Sequence, residues 1–173
     1  IMTKFGSKYG KIKLAYAFQT EQLGTGHALL QAEKFLASEK KFLVLMGDDL
    51  YASSDIKRCL GKNSCVLAKK VSNISQFGKV VAEKGLLKSL VEKPDETGSG
   101  LANTGLYVLP SEVFSLLKKL KRSRRGELEL TDAVMQLQNV SVEEASFWQP
   151  TTYPWSLLEA NEALLKQMEK SKP

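Results

Sequence analysis

The chain has 173 residues, 43% hydrophobic and 25% charged, with a formal net charge of +6. That length suits one domain, able to bury roughly 70% of the surface its unfolded chain would expose. No window approaches the roughly 20 apolar residues of a membrane span, Ile1-Met2-Thr3-Lys4 has no apolar run behind it as a secretory leader would, and Cys59 and Cys65 stand outside any CxxC or Cys/His cluster, so they read as two reduced thiols of a cytoplasmic protein.

In chain order, Ile12 to Phe18 (IKLAYAF) alternates and is rich in strand formers, which predicts a strand. Gln19 to Gly26 is a glycine-bearing loop, and His27 to Ala37 has helical apolar spacing. Phe42 to Met46 is a short continuous apolar run of the kind found in parallel strands buried on both faces. Ser53 or Ser54 is placed to cap a helix through Leu60, and Ser64 to Val71 reads as a strand. Gly78 to Ala82 and Leu86 to Val91 are strands around a Lys84-Gly85 hairpin turn. A polar loop over 95–100 precedes a strand from Leu101 to Leu109. Ser111 is the expected N-cap of a helix running to about Arg122, and Thr131 of another through Leu137. Val140 to Phe147 is a strand, and Pro154 opens a long helix from Trp155 to Lys170. Strands alternating with helices, interrupted by a hairpin, indicate an α/β fold with a mixed sheet flanked by helices.

The positive charge suits an anionic ligand: nucleotide, sugar phosphate or nucleic acid. Much of it lies in Lys118-Lys119-Leu120-Lys121-Arg122-Ser123-Arg124-Arg125. No aromatics are interleaved there to stack on bases, so the run reads as a solvated helix end. In α/β sheets ligands sit beyond the carboxyl ends of the strands, which singles out three segments. Gln19 to Ala28 joins a strand to a helix. Its glycines allow close backbone approach, free N–H groups at a helix start favour anions, and Gln offers both donors and an acceptor, as a pyrimidine edge requires. Gly47-Asp48-Asp49 ends an apolar strand with carboxylates suited to a hard divalent cation, and a helix-capping or turn aspartate is the equal alternative. Glu92-Lys93-Pro94 with Ala102-Asn103-Thr104-Gly105 offers a carboxylate and an amide for sugar hydroxyls and a lysine for phosphate, or else a charged strand exit and a turn. His27, the single histidine, reads as structural.

The blocks QTEQLGTGHA, VLMGDD, QFGKVV, LVEKP, LANTGLYVL, RRGELELTD and YPWSLLEAN occur in the order seen in the sugar-1-phosphate nucleotidyltransferases. From about Phe5 to Leu165 the chain resembles that family. Gln22 to Ala28 is closer to the N-acetylglucosamine-1-phosphate uridylyltransferase branch, and RGELELTD to the glucose-1-phosphate thymidylyltransferase branch. The resemblance implies a Rossmann-like, mixed and mainly parallel sheet of the nucleotide-diphospho-sugar transferase type. It implies that Gln19, Gly24 and Thr25 bind the nucleotide, and that Asp48 holds Mg²⁺ and is the catalytic carboxylate. It further implies that Gly78, Glu92, Lys93, Asn103, Thr104, Glu127 and Thr131 attend the sugar phosphate, with Glu92 and Asn103 lining one pocket that faces Gly24. The implied partners are UTP or dTTP and a sugar 1-phosphate. A homo-oligomer is compatible with the family, and neither membrane nor nucleic acid is expected.

Two departures qualify the likeness. The family's glycine-rich triphosphate loop, ending in Gly-Thr-Arg, has no counterpart in Ile1 to Gly10. Residues 1–173 are therefore expected to be a single N-terminally truncated domain, short of its first βαβ segment, that holds a nucleotide sugar without turning over. Where many members read Trp-x-Asp-x-Gly-Thr-Pro, with the Asp as second metal ligand, this chain reads Trp148-Gln149-Pro150-Thr151-Thr152-Tyr153-Pro154. The function the resemblance implies for the family is a nucleotidyl transfer, in which a nucleoside triphosphate and a sugar 1-phosphate give a nucleotide sugar and pyrophosphate, with this chain a fragment of the catalytic domain. The alternatives are a catalytically inactive nucleotide-sugar-binding module and, on charge alone, a basic nucleic-acid-binding protein.

Overall fold

A computed structural model describes residues 1–170. In chain order the elements are α1 (Met2–Phe5), β1 (Lys8–Tyr9), β2 (Ile12–Lys13), α2 (Thr25–Gln31), α3 (Glu33–Leu36), β3 (Lys41–Val44), β4 (Leu50–Tyr51), α4 (Ser53–Leu60), β5 (Cys65–Val71), β6 (Lys79–Glu83), β7 (Leu86–Val91), β8 (Gly100–Pro110), α5 (Val113–Leu117), α6 (Leu130–Val134), β9 (Ser141–Glu144), β10 (Trp148–Gln149) and α7 (Ser156–Lys170). They group into two compact units: Ile1–Lys40 with Pro110–Gln136, and Lys41–Leu109 with Leu137–Pro173.

The first unit is mostly helical. Leu29 of α2, Val113, Phe114 and Leu117 of α5, and Leu130, Ala133 and Val134 of α6 are its buried apolar side chains. The strand expected over Ile12 to Phe18 is confined to Ile12–Lys13, paired antiparallel with β1 through Tyr9↔Ile12 and Lys8↔Lys13. Ile12 and Phe18 are both largely exposed, so the alternation has no sheet to face and cannot gain from burial. The helix expected over His27 to Ala37 is split at Ala32, which lies at φ −89° and ψ −4°. Ser111 does not cap a long helix. Glu112 is the N-cap of a five-residue α5, and the charged run beyond Leu117 offers no apolar face to extend it. Lys118 instead pairs with Glu33 at 2.7 Å, and Arg125 with Glu127 at 3.2 Å and Glu129 at 3.7 Å.

Two glycines lock this unit's loop. The amide of Gly26 donates to Leu128 O at 2.8 Å, and the amide of Leu128 donates to Leu23 O at 2.7 Å. A Cβ on Gly26 would fall 2.7 Å from that same Leu128 oxygen and 2.8 Å from Leu117 Cδ2. The oxygen cannot retreat without losing its hydrogen bond. Gly26→Ala should therefore destabilise the chain by about 1–3 kcal/mol, the usual cost of overpacking. Urea denaturation checks this, since a change below a few tenths would mean the loop is not locked.

The second unit holds a six-stranded sheet in the order β3-β8-β5-β9-β7-β6, with β6 also pairing β8, and a two-stranded ribbon of β10 and β4. The sheet is mixed, as expected. Among the described pairings β5–β9 is parallel, whereas β5–β8, β6–β7, β6–β8 and β7–β9 are antiparallel, so the β6–β7 hairpin and the long β8 give these pairings an antiparallel majority where a mainly parallel sheet was expected. The β6–β7 hairpin turns at Lys84 (φ 51°) and Gly85 (φ 77°), both in the left-handed region that a two-residue turn of this kind needs. Cys59 and Cys65 are free and buried in one cluster with Leu67, Leu106, Val108 and Ala145.

Neither serine caps α4. The N-cap is Ala52, and Ser53 is the first helical residue. Asp55, fully buried, reaches across from α4 to the segment after β9. It accepts from Ser146 N (2.8 Å), Ser146 Oγ (2.8 Å), Phe147 N (3.2 Å) and Arg58 Nη1 (2.8 Å). Among the described residues no helix is long and apolar enough to cross a membrane.

Candidate active site

In the first unit, Gln19 Nε2 donates to Gly24 O at 3.1 Å and contacts His27 Nδ1 at 3.1 Å, while Gln31 Nε2 contacts His27 Nε2 at 3.1 Å. His27 is thus a bracket between two amides. Gly24 sits at φ 97°, and a Cβ there would meet Leu128 O at 2.8 Å and Glu127 Cβ at 2.9 Å. The 19–26 loop and the 127–131 segment therefore meet, which brings Gln19, Gly24, Thr25 and Glu127 into one neighbourhood. Thr131 is not the N-cap of α6, which is Glu129. The first amide of α6, on Leu130, finds Thr25 Oγ1 instead, at 3.3 Å. That leaves the buried Thr131 hydroxyl without a hydrogen-bond partner among the described residues.

In the second unit, the Asn-Thr-Gly stretch makes a bulge in β8. The register runs Ala68↔Asn103 and then Val66↔Tyr107, so Thr104, Gly105 and Leu106 stand opposite the single Leu67. Gly105 supplies the left-handed turn this needs (φ 73°), where an L side chain would be strained and its Cβ would collide with Met46. Thr104 Oγ1 donates to the Leu67 carbonyl at 2.8 Å, and Tyr51 Oη donates to Thr104 O at 2.7 Å. The Thr104 hydroxyl is thus buried and committed to the sheet.

The bulge fixes Asn103. Its Oδ1 accepts from Gly105 N at 3.2 Å, and its Nδ2 donates to Tyr107 Oη at 2.5 Å. Burial pushes the Tyr107 hydroxyl's pKa up, so it stays protonated. Asn103 N also donates to Gly78 O at 2.7 Å. A Cβ on Gly78 would lie 3.0 Å from Glu92 Oε2, 3.3 Å from Asn103 Cβ and 3.6 Å from Asn103 Nδ2. Gly78, Glu92 and Asn103 therefore converge on one spot: a bare backbone flanked by a carboxylate and an amide. Lys93 follows at φ 42°, exposed. Gly78 is not among the positive-φ glycines, so Gly78→Ala adds a methyl without backbone strain. It should weaken saccharide-phosphate binding about tenfold while shifting stability little, and a KM or Kd unchanged from the parent would exclude this spot as a sugar contact.

The Gly47-Asp48-Asp49 turn divides its two carboxylates between two tasks. Asp49 accepts from Trp148 Nε1 at 2.9 Å and Thr151 N at 3.2 Å, with Tyr51 Oη at 3.5 Å. Burial raises its pKa despite these bonds. It ties the β10 exit to the turn. Asp48 is exposed, and its backbone carbonyl accepts from Thr151 Oγ1. Thr151 thus gives its hydroxyl hydrogen to the turn. Tyr51 and Tyr107 were not singled out by sequence, and Asp49 only as part of the Gly47-Asp48-Asp49 motif. Tyr107 could have been found from its place on the strand that carries Asn103, whereas nothing local marks which aspartate of the pair turns inward.

Residues 2–167 match the nucleotidyl transferase family model, and the chain belongs to that family. It is 39% identical over 165 residues to the bifunctional protein GlmU of Methanococcus maripaludis strain C5, covering 90% of this chain and 39% of that protein. It is 32% identical over 178 residues to the low-salt glycan biosynthesis nucleotidyltransferase Agl11 of Haloferax volcanii, covering 96% and 49%. The chain thus spans about two fifths to one half of these relatives. Among solved structures it resembles a putative glucose-1-phosphate thymidylyltransferase from Bacillus anthracis in complex with a sucrose (TM-score 0.79, 28% identity, covering 94% of this chain and 70% of that one). It also resembles a UDP-glucose pyrophosphorylase complexed with UDP-glucose (TM-score 0.74, 25% identity, covering 88% and 66%).

Proposed function

We propose that the chain carries the substrate-binding and metal-binding groups of a sugar-1-phosphate nucleotidyltransferase, which joins a nucleoside triphosphate, UTP or dTTP, to a sugar 1-phosphate with release of pyrophosphate. The observation that carries this reading is the convergence of Gly78, Glu92 and Asn103 within the bulged β8 framework. Glu92 accepts from sugar hydroxyls, Asn103 Nδ2 keeps a second N–H beyond the one given to Tyr107, and the missing side chain at Gly78 makes room for the ring. Gln19 and Gly24 face the base, with Thr25 beside them. Lys93 serves phosphate oxygens, as does the Thr131 hydroxyl, which has no hydrogen-bond partner among the described residues, and Glu127 precedes Thr131 in the segment that meets Gly24.

The donor chemistry around Asp48 fits Mg²⁺. Among the described residues no three His, Cys, Asp or Glu side chains gather into a metal cage, but Mg²⁺ in phosphoryl-transfer sites commonly uses one or two carboxylates and takes its remaining ligands from substrate phosphates and water. When bound, the ion would neutralise charge on the transferring phosphate. Asp48 would hold it, and Asp49 keeps the turn in place. The sugar phosphate oxygen attacks the α-phosphorus in line, and pyrophosphate leaves. No protein nucleophile is required, so positioning and electrostatics carry the rate.

A second reading, a module that binds a nucleotide sugar without turnover, is favoured by Pro150, which has no side-chain oxygen where many relatives in the resemblance carry a carboxylate. The separating experiment is pyrophosphate release by the full gene product with UTP or dTTP and a panel of sugar 1-phosphates in Mg²⁺. Turnover within a factor of about ten of 1 per second, an ordinary enzyme rate, supports the enzyme. Saturable nucleotide-sugar binding with no release from any pair supports the module and overturns the enzyme.

A further inference from the structure

The loop leaving β10 and the first turns of α7 wall a cavity of about 550 Å³, within the ~300–1,000 Å³ typical of small-molecule sites. Its lining includes Gln76, Phe77, Thr152, Tyr153, Trp155 and Glu159. Tyr153 and Trp155 stack nearly parallel, centroids 4.7 Å apart and planes 8° from coplanar. The two rings cover each other's inner faces, yet Tyr153 remains 45% and Trp155 61% exposed. Large aromatic side chains ordinarily gain from burial, so a stacked pair that lines a cavity while remaining this exposed offers apolar ring surface to a flat or ring-shaped group. Beside it, Glu159 Oε2 accepts from Gln149 Nε2 at 3.2 Å, which orients the carboxylate. Gln76 and Thr152 add an amide and a hydroxyl.

The lining selects a ligand class. None of the lining residues is Lys, Arg or His, so a phosphate would meet Glu159 with no cation to balance it. A purely apolar ligand would strand the carboxylate, amide and hydroxyl away from water, leaving each without a partner. A neutral polyol ring satisfies both halves, with its C–H face on the aromatic platform and its hydroxyls donating to Glu159 and exchanging hydrogen bonds with Gln76 and Thr152.

We propose that this cavity is a subsite for the ring of a neutral saccharide, with the Tyr153–Trp155 stack as platform and Glu159 and Gln76 as hydroxyl partners. Its lining shares no residue with the Gly78–Glu92–Asn103 group, although Phe77 adjoins Gly78 in the chain and Pro150 also lines the cavity, so the test must tell the two apart.

The test is saturation-transfer NMR and tryptophan fluorescence on residues 1–173 with glucose, N-acetylglucosamine and maltose, without nucleotide. Saturable binding is expected, with the ring C–H protons receiving the strongest transfer. Trp155→Ala and Trp155→Leu should each weaken it about tenfold or more, and Glu159→Gln should weaken it as well. The exposed position of Trp155 lets both variants fold, as circular dichroism will verify. Three results would overturn the subsite: no saturable binding of any of the three sugars; Trp155→Leu binding like the parent, which makes the ring a mere apolar filler; or loss in Glu92→Gln with retention in Trp155→Ala, which moves the saccharide to the Gly78 group.

Discussion

Replacing Asp48 by Asn should cut Mg²⁺-dependent nucleotidyl transfer by about 100- to 1,000-fold or more. Metal-assisted charge stabilisation is worth several kcal/mol, and each 1.36 kcal/mol is tenfold in rate. The fold should be indifferent to the change. Asp48 is exposed, and its contribution to the turn is a backbone carbonyl that accepts from Thr151, which Asn retains. The neighbouring Asp49→Ala is the informative contrast. It removes the acceptor for Trp148 Nε1 and Thr151 N, so its loss should appear in thermal stability as well as in rate. Steady-state kinetics with a melting curve for each variant separates the two. Equal rates for Asp48→Asn and the parent would remove Asp48 from the mechanism.

Asp55→Ala should be the most destabilising single truncation among the polar residues described above, at about 3–5 kcal/mol, in the range for breaking a buried charged pair. The loss leaves the Ser146 and Phe147 amides without the acceptor that α4 provides, and frees Arg58 from its 2.8 Å contact. Chemical denaturation measures this directly. A cost below about 1 kcal/mol would mean the carboxylate is replaceable by water. The pH dependence has a definite sign. Burial pushes the Asp55 carboxyl up, but the bonds from Ser146, Phe147 and Arg58 outweigh it and hold it below its ordinary value of 3.8. The Lys62 ammonium, aided by Arg58, likewise holds Glu143 below 4.5. Both contribute stability that is complete above those ordinary values and is lost as pH falls through the lowered ones. Asp49, raised by burial, acts the other way: it favours the folded chain while protonated and gives that up as pH rises past 3.8 and through its folded value. The parent should therefore lose stability below about pH 4, and Asp55→Asn should flatten that limb.

Much of the second unit was legible because its signals are local. The Lys84-Gly85 hairpin announces itself by turn chemistry, β5 and β8 by their apolar runs, and α7 by its spacing after Pro154. The first unit was less so. The Ile12 to Phe18 alternation is a strand pattern, but a strand exists only with a neighbour, and sequence periodicity does not report pairing. The caps differ too: Ser53, Ser111 and Thr131 are good cap residues, yet the N-caps are Ala52, Glu112 and Glu129, and at α6 the first amide is met from elsewhere in the chain, by Thr25 Oγ1 accepting from Leu130 N. At the site, Asn103, Glu92 and Gly78 were visible as motifs, and the structure adds why they meet. The β8 bulge at Gly105 sets the amide's direction, and Tyr107 holds it. Asp55 was invisible, since a carboxylate in a first helical turn is ordinarily a surface residue and its partners lie about ninety residues away in sequence.

The most direct test of the site is calorimetric titration of UDP-glucose and dTDP-glucose into residues 1–173 and into Asn103→Ala, with UMP and dTMP as controls. The sugar-binding role of Asn103 and Glu92 predicts that at least one nucleotide sugar binds more tightly than its monophosphate. It also predicts that Asn103→Ala erases that advantage, an effect of about tenfold or 1.4 kcal/mol, while leaving the monophosphate unchanged. Nucleotide sugars that bind no better than the monophosphates, or bind Asn103→Ala as tightly as the parent, would contradict it.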